Sequence, residues 1–176
     1  MAAAAGVSAR SARAVRTVLA VREYQDREIP DDVLRRIVDA GRQTASARNA
    51  QPWHFVVVRD REKLRKLGSL IRTGGYTANA AAAIIVACEK SPYAMSDASR
   101  AIQSMILAAW ADGVGSNWTG FGGIEAVRTE FGIPDTFDVL AVMPLGYPKR
   151  KVVGKKKRKP LDEVVSGEKF GEPFRA

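Results

Sequence analysis

Apolar residues recur along this chain in two rhythms. In one they fall three or four apart, as on one face of a helix. In the other they run unbroken, as in a strand covered on both sides. The first rhythm predicts a helix over 8–22, with Val15, Val18 and Leu19 in one stripe. It predicts a second after Pro30, where Leu34, Ile37, Val38 and Gly41 share a face and Asp31 and Asp32 suit the positive amino end. Asp60 caps a third, carrying Leu64, Leu67 and Ile71 and broken by RTGGYT. Ser96 or Asp97 opens a long helix to about Asp112, with Ile102, Met105, Ile106 and Ala109 as its stripe. A short helix, IEAVRTEFG, ends at Gly132. The unbroken runs predict strands at 53–59, in AAAIIVAC and at 137–145, with a further short strand in GVGSNWTGFGG before its glycines. From Tyr147 onward an extended tail is expected. Helices outnumber strands, and the fold class is α+β, a modest sheet with helices on its faces.

No repeat or Gly/Ser-rich linker divides the 176 residues, which suit one compact domain. A flexible tail is expected over 1–10, the domain over 11–165 and a short extension over 166–176. No apolar run approaches the ~20 residues needed to span a bilayer, so no membrane segment is expected. The opening MAAAAGVSARSARAVR has no acid before Glu23. Transit peptides share that composition, as do frayed tails entering an amphipathic helix, and the continuous apolar spacing favours the tail. The single cysteine, Cys88, cannot make an intrachain disulfide, and a cytoplasmic location is expected.

Charge changes the picture more than composition does. The net charge is +9, yet KRKVVGKKKRK at 149–159 holds eight Lys or Arg and no acid, leaving +1 for the rest. A generally basic body would point to nucleic acid. One basic segment on a nearly neutral body points to a local anion site or a solvated tail, and the abutting PLDEVV favours the anion site.

The loops offer complementary groups. SARNAQPWHF at 46–55 brings a hydroxyl, a guanidinium and two side-chain amides to the mouth of a strand, NWTGFGG brings a hydroxyl and exposed backbone N–H groups, and Arg22 adds a cation. Such a set suits a ligand with a polar aromatic ring at one end and a phosphate at the other. Metal and covalent chemistry are poorly supplied by one histidine and one cysteine far apart, and GxSxG, GxxxxGK[ST] and GxGxxG are missing. His54, beside Trp53 at a strand start, reads as a core or edge histidine. The hard chemistry would then fall to a bound cofactor.

SARNAQPWHFVVVRD, with VREYQDREIPDDVLRRIVDAGRQT before it, resembles the front half of the FMN-dependent nitroreductase family. RAIQSMILAAWADGVGSNW, TGF, VRTEFGIP, VMPLGYP and KKKRKPLDEVV follow in the family's order, so the resemblance covers about residues 18–165. It implies an FMN-binding homodimer, mostly antiparallel in its sheet, with the flavin at the subunit interface. Ser46, Ala47, Arg48 and Asn49 would line the flavin, and Trp118, Thr119 and Gly120 would lie by its reactive edge. A backbone N–H of Thr119 or Gly120 would bond ring N5. Arg22 would sit near the pyrimidine side, and Lys156 and Arg158 would bind the phosphate. No catalytic side chain and no metal are implied.

Some positions depart from the family. Val18 and Ala20 stand where it carries an arginine and a serine that meet the phosphate, with Arg16 as a substitute from the preceding turn. Ala45 replaces a proline, and Asn79 is the nearest amide to an expected Asn or Lys. Little chain is left for a lid between the second strand and the long helix. The expected activity is a flavoprotein oxidoreductase, passing hydride from NADH or NADPH through the flavin to a nitroaromatic or quinone in ping-pong fashion. A specialised flavin or deazaflavin reaction on a metabolite stays open. So does non-catalytic nucleotide or nucleic-acid binding through 149–159, although that run lacks interleaved aromatics for base stacking.

Overall fold

A computed structural model describes residues 12–120, 124–154 and 156–175. The tail expected over 1–10 lies outside these residues, as do Gly122 and Gly123 of the glycine-rich loop and Lys155 of the basic run. The elements are α1 (residues 12–17), α2 (Asp31–Arg42), β1 (Trp53–Val58), α3 (Arg61–Leu70), β2 (Ala82–Glu89), α4 (Ala94–Ala111), β3 (Gly115–Ser116), α5 (Ile124–Glu130) and β4 (Phe137–Gly146).

The strands form one sheet in the order β1-β2-β4-β3, and every pairing in it is antiparallel. All of β2 except Glu89 is buried. Its alternate residues serve two cores. Ala82, Ile84, Val86 and Cys88 pack with Leu34, Ile37, Ile102 and Met105 of α2 and α4. Ala83, Ile85 and Ala87 pack with Leu64, Leu67 and Val127 of α3 and α5. A strand covered on both faces has no polar side to show, which is why AAAIIVAC reads as an unbroken apolar run.

Local signals hold where packing agrees with them. The Asp60 carboxylate accepts the Lys63 N–H at 2.9 Å and starts α3. Gly132 takes a φ of +62°, the left-handed turn after α5 that favours glycine. Helix α4 starts at Ala94, ahead of Ser96 and Asp97. The Ser96 hydroxyl instead donates back to the Tyr93 carbonyl, and Asp97 is drawn inward.

The helix expected over 8–22 is corrected. Helical structure ends at residue 17, and the following segment lies along the sheet edge. Ala20 bridges to Ser116 in parallel sense, Tyr24 bridges to Pro148, and the Val21 N–H donates to the Ser116 carbonyl at 2.9 Å. Two glycines permit the approach. A Cβ on Gly115 would meet Val21 at 2.5 Å, and one on Gly146 would meet Tyr24 at 2.7 Å. Sheet hydrogen bonds thus outcompete the helical spacing of Val18 and Leu19, and the stripe that looked like a core face borders a cleft.

Candidate functional site

That cleft, about 740 Å³, opens between the end of α1, the segment 18–20, helix α4 and the C-terminal tail. Val15, Val18 and Leu19 supply one apolar wall, while Ile106 and the half-buried Trp118 also line it. Its cations are Arg16, Lys156 and Arg158, with Gln103, Ser116 and Asn117 as neutral polar groups. The Lys156 ammonium donates to the Val15 carbonyl at the end of α1, where the partial negative charge of a helix terminus favours a cation. This part of the basic run therefore lies against the folded body and is not a solvated tail. Arg16 joins Lys156 and Arg158 here because α1 stops one residue later.

The loop before β1 is a separate, tightly wound feature. Ala47–Asn49 form a single 3₁₀ turn, and Arg48, Asn49 and Gln51 take φ of 55°, 56° and 52°. Left-handed backbone at non-glycine residues costs of order 1–2 kcal/mol each and needs support. Support comes from inside the loop, where the Ser46 hydroxyl accepts the Gln51 N–H at 2.9 Å. It also comes from α4, where the carboxylate of Asp97, 1% exposed, accepts the Ala47 N–H at 3.0 Å. Arg48, Asn49 and Gln51 are left exposed. None of Ser46, Ala47, Arg48 or Asn49 lines the cleft of Arg16 and Lys156.

The sequence marks Asp97 only as an alternative to Ser96 for the start of a helix. Its spacing from Ala101 and Met105 places it on the buried side of α4, and a carboxylate there was the available signal. The same burial affects Cys88. Loss of solvent, reinforced by the charges of Asp97 and Glu89, pushes its thiol up to about 12. A thiol held neutral in this way is a poor nucleophile.

Other expected residues are distributed differently. Thr119 points into the body: it is 2% exposed, a Cβ on Gly74 would sit 3.1 Å from its hydroxyl, and that hydroxyl has no hydrogen-bond partner among the described residues. Its N–H donates to the Val142 carbonyl at 2.9 Å, which leaves Gly120 as the candidate backbone donor of the two. Gly120 has a φ of +131°, a conformation that glycine alone adopts readily. Arg22 lies 5.9 Å above the Tyr76 ring and faces a different cleft from Lys156 and Arg158. His54 is exposed on β1, its ring edge-on to Phe137 at 6.2 Å. A larger hollow of about 1010 Å³ lies within the C-terminal segment between Leu161 and Phe174, and contains none of the residues singled out above.

A three-layer α/β/α fold, with a basic and aromatic cleft at the sheet edge and a strained polar loop, makes a small scaffold suited to a flat anionic ligand. The nitroreductase family profile matches residues 16–90 and 77–147, and the chain belongs to that family of enzymes. A protein of Methanothermobacter thermautotrophicus, named as an NADH dehydrogenase/NAD(P)H nitroreductase, is 40% identical over 144 residues, 77% of this chain and 75% of that one. A solved structure from Parabacteroides distasonis with the same name superposes with a TM-score of 0.85 at 28% identity, covering 92% of this chain and 99% of the other. The fold is also that of a Clostridium difficile protein named an FMN-dependent nitroreductase, at a TM-score of 0.82 and 24% identity over 88% and 96% of the two chains.

Proposed function

We propose that the chain is an FMN-dependent oxidoreductase that takes reducing equivalents from NADH or NADPH and delivers them to an electron-poor acceptor such as a nitroaromatic or quinone. One observation carries this reading: Arg16, Lys156 and Arg158 meet at one cleft with the apolar wall of Val15, Val18 and Leu19 and the indole of Trp118. Three cations suit a phosphate, and an apolar and aromatic wall suits a flat ring. The donor set therefore fits FMN. Arg16 supplies a contact that Val18 and Ala20 cannot, and Asn117 and Gln103 offer hydrogen bonds between the two ends. The neighbour named for FMN supports the same ligand.

Bound flavin would supply the redox chemistry, accepting a hydride as NAD(P)H becomes NAD(P)⁺ and later passing two electrons to the acceptor. The chain's own residues would bind and orient. Lys156 and Arg158 would neutralise the phosphate, and Trp118 would exclude water from one side of the ring. The N–H of Gly120 would offer a hydrogen bond at its reactive edge. Arg22, on its Tyr76 platform, would favour negative charge at the pyrimidine side. The exposed Arg48 and Asn49, with the half-buried Ser46 and Ala47 beside them, would complete the site from a second copy of the chain. Donor and acceptor would then use one opening in turn, which is the basis for expecting ping-pong kinetics.

Purified protein should be yellow and should bleach with NAD(P)H without oxygen. Arg16→Ala and Arg158→Ala should each weaken FMN binding roughly tenfold, the scale of one charge-assisted hydrogen bond. A colourless protein that takes up no added FMN would reject the reading.

A further inference from the structure

Tyr76 belongs to the 3₁₀ turn Gly75–Asn79, between α3 and β2, and is half-buried. Both ends of its side chain are engaged. The hydroxyl accepts a hydrogen bond from the Asn117 side-chain amide, and Asn117 lines the cleft of Arg16, Lys156 and Arg158. The ring lies under the Arg22 guanidinium, 5.9 Å from its centroid and within cation–π range. One tyrosine therefore holds a neutral polar group of the first cleft and a cation of the neighbouring one.

The tyrosine is itself held firmly. It packs on the buried cluster of Val21, Tyr24 and Ala80. Its turn lies so close to α3 that a Cβ on Gly68 would meet the Ala78 backbone nitrogen at 2.9 Å.

Each contact governs what the held group can offer. Asn117 gives one amide N–H to Tyr76 and keeps its carbonyl oxygen and second N–H for a ligand. Arg22 is exposed and pairs with no carboxylate among the described residues, so the ring beneath it restricts where this long side chain goes.

We infer that Tyr76 is a positioning residue for the flavin, its hydroxyl orienting Asn117 and its ring holding Arg22. This rests on the proposed FMN site. The two arms act on different properties of that site. A neutral amide discriminates little between oxidised and reduced flavin, so the Asn117 arm acts on affinity. A cation favours the reduced form with its added negative charge, so the Arg22 arm acts on the reduction potential.

Two substitutions separate the arms in FMN-loaded, full-length protein. Tyr76→Phe removes the hydroxyl and keeps the packed ring, whereas Tyr76→Leu removes both contacts. Tyr76→Phe should weaken binding of oxidised FMN roughly threefold to tenfold, the scale of one hydrogen bond, and leave the potential unchanged. Tyr76→Leu should weaken binding similarly and also lower the two-electron potential. A threefold to tenfold loss of preference for reduced flavin corresponds to about 15–30 mV. In an Arg22→Met background, Tyr76→Leu should no longer move the potential, which a general loosening of the fold would not reproduce.

Unchanged affinity in Tyr76→Phe, or an unchanged potential in Tyr76→Leu, overturns the inference. So does a fall in potential that persists undiminished in the Arg22→Met background, because packing and not Arg22 would then carry it. The affinity arm still decides the matter if the leucine variant is unstable. Unsubstituted protein that takes up no FMN sinks the flavin reading and this inference with it. Protein that binds FMN but is indifferent to both substitutions sinks the role of Tyr76 alone.

Discussion

A carboxylate with 1% of its surface exposed needs donors, and Asp97 has the Ala47 N–H at 3.0 Å and the Arg100 guanidinium at 3.7 Å. Asp97→Ala would leave that amide without its acceptor beside three left-handed residues. We expect a loss of about 1–3 kcal/mol in urea unfolding, with Asp97→Asn milder because an amide oxygen can still accept. Cys88 stands on the same side of the sheet. Its thiol shifts from about 9 to about 12 because burial disfavours the thiolate. A folded-state value above the unfolded one stabilises fully below the unfolded value and is lost as pH rises. Stability should therefore fall between about pH 9 and pH 12 as the unfolded chain alone releases this proton, and Cys88→Ala should flatten that fall in unfolding measurements across the window. Asp97 shows how far single residues are legible. Its type and helical position could be read along the chain, but its partner fifty residues earlier could not.

At the scale of elements, the segment after α1 is the instructive case. Val18 and Leu19 have helical spacing, yet they leave the helix because the edge of β3 and β4 offers hydrogen bonds and because Gly115 and Gly146 let backbone approach closely. Gly146→Ala would drive a methyl into Tyr24, and overpacking of this kind costs about 1–3 kcal/mol. A lowered melting temperature by circular dichroism is expected, together with weaker FMN binding, since the segment's displacement would move Val18, Leu19 and Arg16. By contrast α2, α3, β1, β2 and β4 were readable within a residue or two. Each carries its own periodicity and its own stop signal, and the sheet's two-sided burial reinforces both.

At the scale of the whole molecule, the polar loop and the basic cleft are held apart within one chain. Ser46 to Asn49 wind through a turn anchored by Asp97 that leaves Arg48 and Asn49 exposed, while Arg16, Lys156 and Arg158 gather at the other feature. If both sets serve one ligand, two copies must meet. Light scattering should then give twice the 19.1 kDa chain mass, and FMN affinity should fall on dilution below the dimer's dissociation range. A monomer binding FMN at full strength would refute this arrangement. No described helix is long and apolar enough to cross a membrane.

The sequence by itself determined the α+β class, the buried central strand, the concentration of basic residues at 149–159 and the polar character of the loop before β1. These follow from residue type and short-range spacing, which local physics reads directly. Only the tertiary structure decided that Arg16 joins Lys156 and Arg158, that Arg22 faces another cleft, and that Thr119 turns inward. Those outcomes depend on which backbone edge captures residues 18–24 and on contacts more than a hundred residues apart, energies that no local pattern contains.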